Sequence, residues 1–153
     1  PYIATYSLAN DVQIKDGGKT LTNGKLGSFD FKDGEWLGYW GDNFEAILDL
    51  GEVTDVKKVK ASFLQEQNSW IFMPASVKFE VSTDGKIYYE VGNLINPIDP
   101  ITSGGIVHDF VAENVNRKIR YIHVTAKSQG LCPDWHVGAG EPSWIFADEI
   151  WVE

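Results

Sequence analysis

The stretch Ser76–Ser82 reads Ser-Val-Lys-Phe-Glu-Val-Ser, a strict alternation of apolar and polar residues. Val77, Phe79 and Val81 point to one side, and Lys78, Glu80 and Ser82 to the other. Period 2 is the signature of a strand with one wet and one buried face. Such a strand needs pairing partners beside it and an apolar layer beneath it. The next four residues, Thr83-Asp84-Gly85-Lys86, are a hairpin turn of the Asp-Gly kind, so Ile87–Val91 is expected to return antiparallel to it.

The same texture runs through the chain. Phe44–Leu50 is an apolar run stopped by Gly51, and Val56–Gln65 begins with a β-branched residue. Ile106–Val111 is short and apolar. Lys118–Lys127 places Ile122, Val124 and Ala126 on one face and Tyr121 and His123 on the other. Ser143–Val152 closes the chain. Between the strands lie turn signals: Asp16-Gly17-Gly18, the glycine-punctuated residues 20–28, an aromatic loop over Phe29–Gly41, and a loop over Asn93–Gly105 with Pro97 and Pro100. Ala4–Leu8 is too short to assign. No segment of useful length has a helical period. Seven or eight short strands separated by turns predict an all-β, antiparallel β-sandwich.

A length of 153 residues fits one domain with a core of its own. The net charge of −9 argues against nucleic acid, whose phosphates need Lys/Arg patches, and against an anionic membrane surface. It suits a cation or a neutral ligand. No apolar run reaches the ~18 residues of a membrane span. The single cysteine, Cys132, excludes an internal disulfide. Pro1 opens directly in domain-like sequence and the chain stops after its last strand, so an excised domain or a processed product of a longer chain is expected.

Five motifs carry a resemblance: Leu21-Thr22-Asn23-Gly24, Ile47–Gly51 (ILDLG), Val77–Gly85 (VKFEVSTDG), Arg120–Val124 (RYIHV) and Ala147–Ile150 (ADEI). In this order they resemble discoidin-like domains, also called coagulation factor 5/8 type C domains, over about Leu21–Val152. The resemblance implies a jelly-roll β-sandwich and, in bacteria, the family 32 carbohydrate-binding modules appended to secreted glycoside hydrolases. Three further stretches, GSFDFKDGEWLGYWG, NSWIFMP and CPDWHVGAGEPSWIFADEI, look like the C-terminal domain of bacterial β-N-acetylhexosaminidases of glycoside hydrolase family 20. The function so implied is carbohydrate binding that holds a tethered hydrolase near glycans of galactose or N-acetylhexosamine type. A secreted, periplasmic or cell-surface bacterial location follows, with the parent catalytic domain as a partner. The alternative is a structural domain that docks on that catalytic domain and binds no free sugar.

The resemblance also implies a structural calcium site. Calcium takes six to eight oxygens in flexible geometry. Carried over residue by residue, they are the Asn23 side chain, carbonyls near Thr20 and Lys25, Ser28, and Glu149 with a carbonyl at Ala147 or Asp148. Asn23 stands where the family usually has Asp and Ser28 where it has Thr, which weakens the cation site.

For a sugar, flat rings suit the apolar face of a pyranose, and amides, carboxylates and His suit its hydroxyl rim. Trp135 and His136 lie in the polar, glycine-rich loop Cys132–Pro142, with Asp134 and Glu141 as hydroxyl acceptors. Trp36, Tyr39 and Trp40 offer a second aromatic loop, and Trp70 a third. The competing reading is that these rings pack on one another to stiffen long loops; that reading is preferred for Phe72, Trp144, Phe146 and Trp151, in or beside strands. The Ser-Trp-Ile-Phe run occurs twice, at 69–72 and 143–146, and is read as two matched strand starts. Cys132 is expected to be a buried, inert thiol, and His108 and His123 to be hydrogen-bonded structural residues. No serine elbow, zinc-binding helix or phosphate loop is present, and adjacent residues on a regular strand face opposite ways, so Asp148 and Glu149 are not a catalytic pair.

Overall fold

A computed structural model of the chain describes residues 3–6 and 36–153. These form nine strands: β1 (Ile3–Tyr6), β2 (Leu37–Trp40), β3 (Phe44–Val56), β4 (Val59–Gln65), β5 (Ser76–Ser82), β6 (Tyr89–Ile95), β7 (Ile106–Ala112), β8 (Arg117–Lys127) and β9 (Trp144–Val152). A five-stranded sheet, in the order β1-β3-β8-β5-β6, faces a four-stranded sheet, in the order β2-β9-β4-β7. The named strands pair antiparallel throughout. The predicted sandwich is the observed one.

The alternation of β5 decides which face is core. Val77, Phe79 and Val81 are buried to 1% or less, and across β8 so are Ile122, Val124 and Ala126. The opposite sheet contributes Phe63, Phe110, Ile145 and Ile150. A run of edge-to-face rings crosses the core, Tyr39 on Phe44, Phe44 on Phe63 and Phe63 on Phe110, with centroids 5.4, 5.8 and 5.7 Å apart. Each such contact adds about 0.5–1.5 kcal/mol to the area the rings bury.

Three details differ from the sequence-based expectation. β2 falls inside the stretch read as an aromatic loop, where it adds an edge to β9. Gly38 fits there because a Cβ would lie 2.9 Å from the Phe146 ring. β3 runs on past Gly51, whose φ of 89° makes the bend, and its register with β8 slips between Asp49 and Thr54. The β5–β6 connection is longer than a two-residue hairpin and spans residues 83–88. There the Asp84 carboxylate accepts from the backbone N–H groups of Lys86 (2.8 Å) and Ile87 (3.0 Å) and from the Ser82 hydroxyl (3.0 Å). Those bonds to its ionised form lower the Asp84 pKa to about 2.

On the outer face of the five-stranded sheet, Arg120 grips Asp49 with two bonds, Nε to Oδ1 at 2.7 Å and Nη2 to Oδ2 at 3.0 Å. Chiefly through that hydrogen bonding, the Asp49 carboxyl is held below its ordinary pKa. His123 lies between Glu45 (2.8 Å) and Glu80 (3.3 Å) and serves the sheet. His108 packs edge-on against Phe110 with centroids 4.9 Å apart. No helix among the described residues is long and apolar enough to cross a membrane.

Candidate functional site

Strand direction gathers four connections at one end of the sandwich: β2–β3 (41–43), β4–β5 (66–75), β6–β7 (96–105) and β8–β9 (128–143). Long loops on a rigid double sheet are where binding residues concentrate. These loops are tied down rather than draped. Gln65, fully buried at the end of β4, donates its Nε2 to the carbonyls of Asp99 (3.1 Å) and Thr102 (3.2 Å). Gln67 donates to the carbonyl of Ile101 at 2.9 Å.

The two Ser-Trp-Ile-Phe copies form the base of this end. They lie side by side. Ile71 and Trp144 make a parallel bridge, in which Trp144 N–H donates to the Trp70 carbonyl (2.8 Å) and Phe72 N–H to the Trp144 carbonyl (3.1 Å). Only the second copy begins a strand. The first follows a 3-10 turn at Gln67–Ser69 and puts Trp70 in the left-handed region, with φ at 64°. A non-glycine residue there is costly and persists only where its surroundings hold it.

What holds Trp70 is the β8–β9 loop. Its indole lies against Gly138, where any Cβ would come within 2.8 Å of Trp70 Cε2. His136 joins the two loops. Its Nε2 donates to the Gln67 carbonyl at 2.6 Å, and its Nδ1 accepts from Gly138 N–H at 2.9 Å. With one nitrogen donating and the other accepting, the ring is held as the neutral Nε2–H tautomer. His136 is 6% exposed. It is therefore a positioning residue rather than a group on the sugar rim, because both nitrogens are taken before any ligand arrives.

Trp135 differs from its neighbour. It is 47% exposed, and its ring rests edge-on against Phe72 (6.4 Å) and His136 (5.8 Å). Asp134 and Glu141 are exposed on the same loop. The loop's shape is fixed by Cys132 N–H to Glu141 carbonyl (2.8 Å), Glu141 N–H to Gly138 carbonyl (2.9 Å) and Ser143 Oγ to Gly130 carbonyl (2.7 Å). The result is a half-exposed indole, backed by two rings, on a tied loop that also exposes two carboxylates. Such a surface can take an apolar, planar ligand face and accept hydrogen bonds beside it.

The second aromatic loop is corrected by the structure. Trp36 is 2% exposed and Tyr39 is wholly buried, so neither has a face to offer. Trp36 packs with Leu64, Ile71 and Phe146 in a small second core, and Tyr39 opens the ring series of the main one. Trp40 is half-buried; its Nε1 donates to the Pro142 carbonyl at 3.1 Å and its ring lies 6.5 Å from that of Trp144. It braces the β8–β9 loop from the β2 side. Trp70 keeps partial exposure. Of the expected ligand residues, Trp135, Asp134, Glu141, Trp70 and Trp40 reach the surface at this end.

Cys132 is 3% exposed, and burial raises its pKa, which suits an inert thiol. Of the calcium donors, Thr20, Asn23, Lys25 and Ser28 lie outside the described residues. Ala147 and Glu149 are both 3% exposed. β9 carries one residue more than β4 between the pairs Ala147–Phe63 and Ile150–Ala61, so Asp148 and Glu149 occupy a bulge and strict alternation does not govern them. Among the described residues no three His, Cys, Asp or Glu cluster as a metal site. Phe72, expected to pack on other rings, does so as the support of Trp135; two contributors lie outside the sequence reading, Gly138 as the seat of Trp70 and Gln65 as the loop tie. Only the Pro-Asp-Trp-His-Val-Gly order hinted at Gly138.

No protein-family model matches the chain, and no curated protein matches it. Solved structures do. A CBM32 module from a glycoside hydrolase 89 of Clostridium perfringens, in complex with GlcNAc-α-1,4-galactose, superposes with a TM-score of 0.60 at 14% identity, covering 97% of this chain and 86% of that one. A GH31 CBM32-2 module bound to GalNAc gives 0.64 at 16%, covering 99% and 96%. The C-terminal domain of a chitobiase from Bacteroides fragilis gives 0.56 at 17%, covering 98% and 92%. At these identities the likeness is one of fold: the chain has the β-sandwich of the family 32 carbohydrate-binding modules.

Proposed function

We propose that this chain is a non-catalytic carbohydrate-binding module, and that it binds glycans through Trp135 at the loop end of the sandwich. The observation that carries this reading is the half-exposed Trp135 ring, held edge-on against Phe72 and His136 on a loop whose backbone is tied at both ends. A preorganised platform spends little ordering entropy on binding. Asp134 and Glu141 supply acceptors for sugar hydroxyls. The surface is shallow, so affinity is weak and the module acts by raising local concentration for an attached enzyme. Sugar-bound neighbours of the same fold support the class, and the chitobiase domain is consistent with a secreted bacterial β-N-acetylhexosaminidase as parent. The test is a titration with galactose, N-acetylgalactosamine and N-acetylglucosamine, followed by Trp fluorescence. A saturable change is expected; none up to about 50 mM, well beyond the ~1 mM weak end of the affinity scale, would sink the reading.

One observation favours docking on a catalytic domain instead. Leu131, Val137 and Ile101 are 59%, 89% and 59% exposed on the loops of this end. An apolar collar of that kind also fits a protein neighbour. The sugar titration separates the two readings.

Calcium belongs to the same proposal, as a structural ion. Glu149 is a buried carboxylate on a bulge of β9, and carboxylate and carbonyl oxygens are the donors calcium takes. Glu149 and the carbonyl of Ala147 or Asp148 would hold the ion together with Thr20, Asn23, Lys25 and Ser28. It would tie the first loop to the last strand.

A further inference from the structure

We infer a second small-ligand pocket, away from the loop end, on the outer face of the four-stranded sheet. It is a cavity of about 600 Å³ lined among the described residues by Lys60, Ser62, Asp109, Asp148 and Trp151, with Val107 and His108 at the β7 side. Register brings them together: Lys60 pairs with Trp151 across β4–β9, and Ser62 pairs with Asp109 across β4–β7. The volume falls in the range of small-molecule sites, ~300–1,000 Å³.

The lining is organised. The Ser62 hydroxyl donates to Asp109 Oδ1 at 2.5 Å, and Lys60 Nζ lies 3.6 Å from Asp109 Oδ2. The same ammonium sits 5.3 Å from the Trp151 ring centroid. Lys60 thus bridges a carboxylate and an indole, and Asp109 is oriented from two sides. Among the described residues, the buried Trp151 Nε1–H has no hydrogen-bond acceptor. A buried donor without a partner is destabilising, and an acceptor brought to this wall relieves it.

The ligand class follows from the lining. Two carboxylates and one ammonium, on a chain of net charge −9, disfavour an anion. Among the described lining residues the one ammonium, that of Lys60, is already engaged by Asp109. A ring wall, an unmet donor, a hydroxyl and partly exposed charged groups suit a neutral polyhydroxylated ligand, such as a glycosyl unit. The pocket uses β4, β7 and β9 and none of the loop residues around Trp135, so it stands or falls independently of the loop-end site.

The test is an NMR titration of the ¹⁵N-labelled chain with lactose as the neutral probe and glucuronic acid as the anionic one, reading the Trp151 indole N–H. Lactose is expected to move that resonance saturably, and glucuronic acid to act at least about tenfold more weakly. The lactose response should persist in Trp135→Ala. It should weaken about tenfold in Asp109→Asn, read on backbone resonances of β7 as well, since a hydrogen bond to a charged acceptor is stronger than one to a neutral acceptor. Trp151→Phe, which keeps an aromatic ring but removes the donor and part of the ring wall, should weaken it, read on backbone resonances of β7, without unfolding the chain. A Trp151 resonance that stays still up to about 50 mM lactose, moves without saturating, or responds equally in Asp109→Asn overturns the pocket.

Discussion

Replacing Gly138 by Ala tests the coupling between the two loops that form the platform. Gly138 does not adopt a left-handed φ, so Ala adds no backbone strain and its whole effect is steric. The new methyl carbon would lie 2.8, 2.9 and 3.0 Å from Cε2, Cζ2 and Cδ2 of Trp70. Three contacts with a rigid ring leave no flexible end to give way. The indole is not free to retreat: Trp70 N–H donates to the Gln67 carbonyl at 3.0 Å, its carbonyl accepts from Trp144 N–H at 2.8 Å, and its ring abuts His136. Forcing one methyl into such a contact costs about 1–3 kcal/mol. At this chain length each kcal/mol lowers Tm by about 2–4 °C, so calorimetry should show a fall of about 2–12 °C. Urea unfolding should report the same loss with an unchanged slope. The penalty belongs to one pair, so it should largely vanish in a Trp70→Ala background. A Gly138→Ala change of less than about 0.5 kcal/mol, within the range of ordinary surface substitutions, or an equal penalty with and without Trp70, would refute the seating of the indole on this glycine.

Other outcomes follow from the same geometry. His136→Ala should lower stability by about 1–3 kcal/mol in urea unfolding, because it strands the Gln67 carbonyl and the Gly138 N–H; a neutral result would remove its positioning role. Asp49→Asn should cost up to about 1 kcal/mol at neutral pH, the ceiling for a partly exposed pair. The Asp49 pKa is lowered by Arg120, so that stability is full above the ordinary carboxylate value of 3.8 and fades as pH falls through the lowered one; a gap that widens in acid contradicts the pair. The Asp84 carboxyl should titrate at about 2 by NMR, and a value at or above the ordinary one would deny its turn bonds. Adding calcium to EDTA-treated protein should raise Tm, and should do so less in Glu149→Gln; an unchanged Tm in both counts against the ion.

The core was readable because period 2 is a local signal. The alternation in Val77–Val81 and Ile122–Ala126 placed six core residues on the correct face before any pairing was known. β2 escaped because Leu37-Gly38-Tyr39-Trp40 is four residues long and glycine-broken, and its strand character comes from β9 beside it. Tyr39 lies in that strand and Trp36 directly before it, and both are core rather than surface. The pairing of Ile71 with Trp144 was not legible either, since it joins residues 73 apart along the chain through a parallel bridge. His136 shows the limit most directly. Its type and loop suit a ligand contact, and only the Gln67 carbonyl, 69 residues away, reveals that its donor is already used. Trp135, one residue earlier, keeps the exposed role read from the loop.

The most direct measurement of the central claim is the affinity of N-acetylgalactosamine for the wild-type chain and for Trp135→Ala, taken by NMR from the Trp135 indole resonance and the backbone of residues 131–141. The account predicts saturable binding in the millimolar range, a Trp135 resonance that moves with it, and at least a tenfold loss in the variant, about 1.4 kcal/mol. Equal affinity in the two proteins, with the residues 131–141 unmoved, would contradict it.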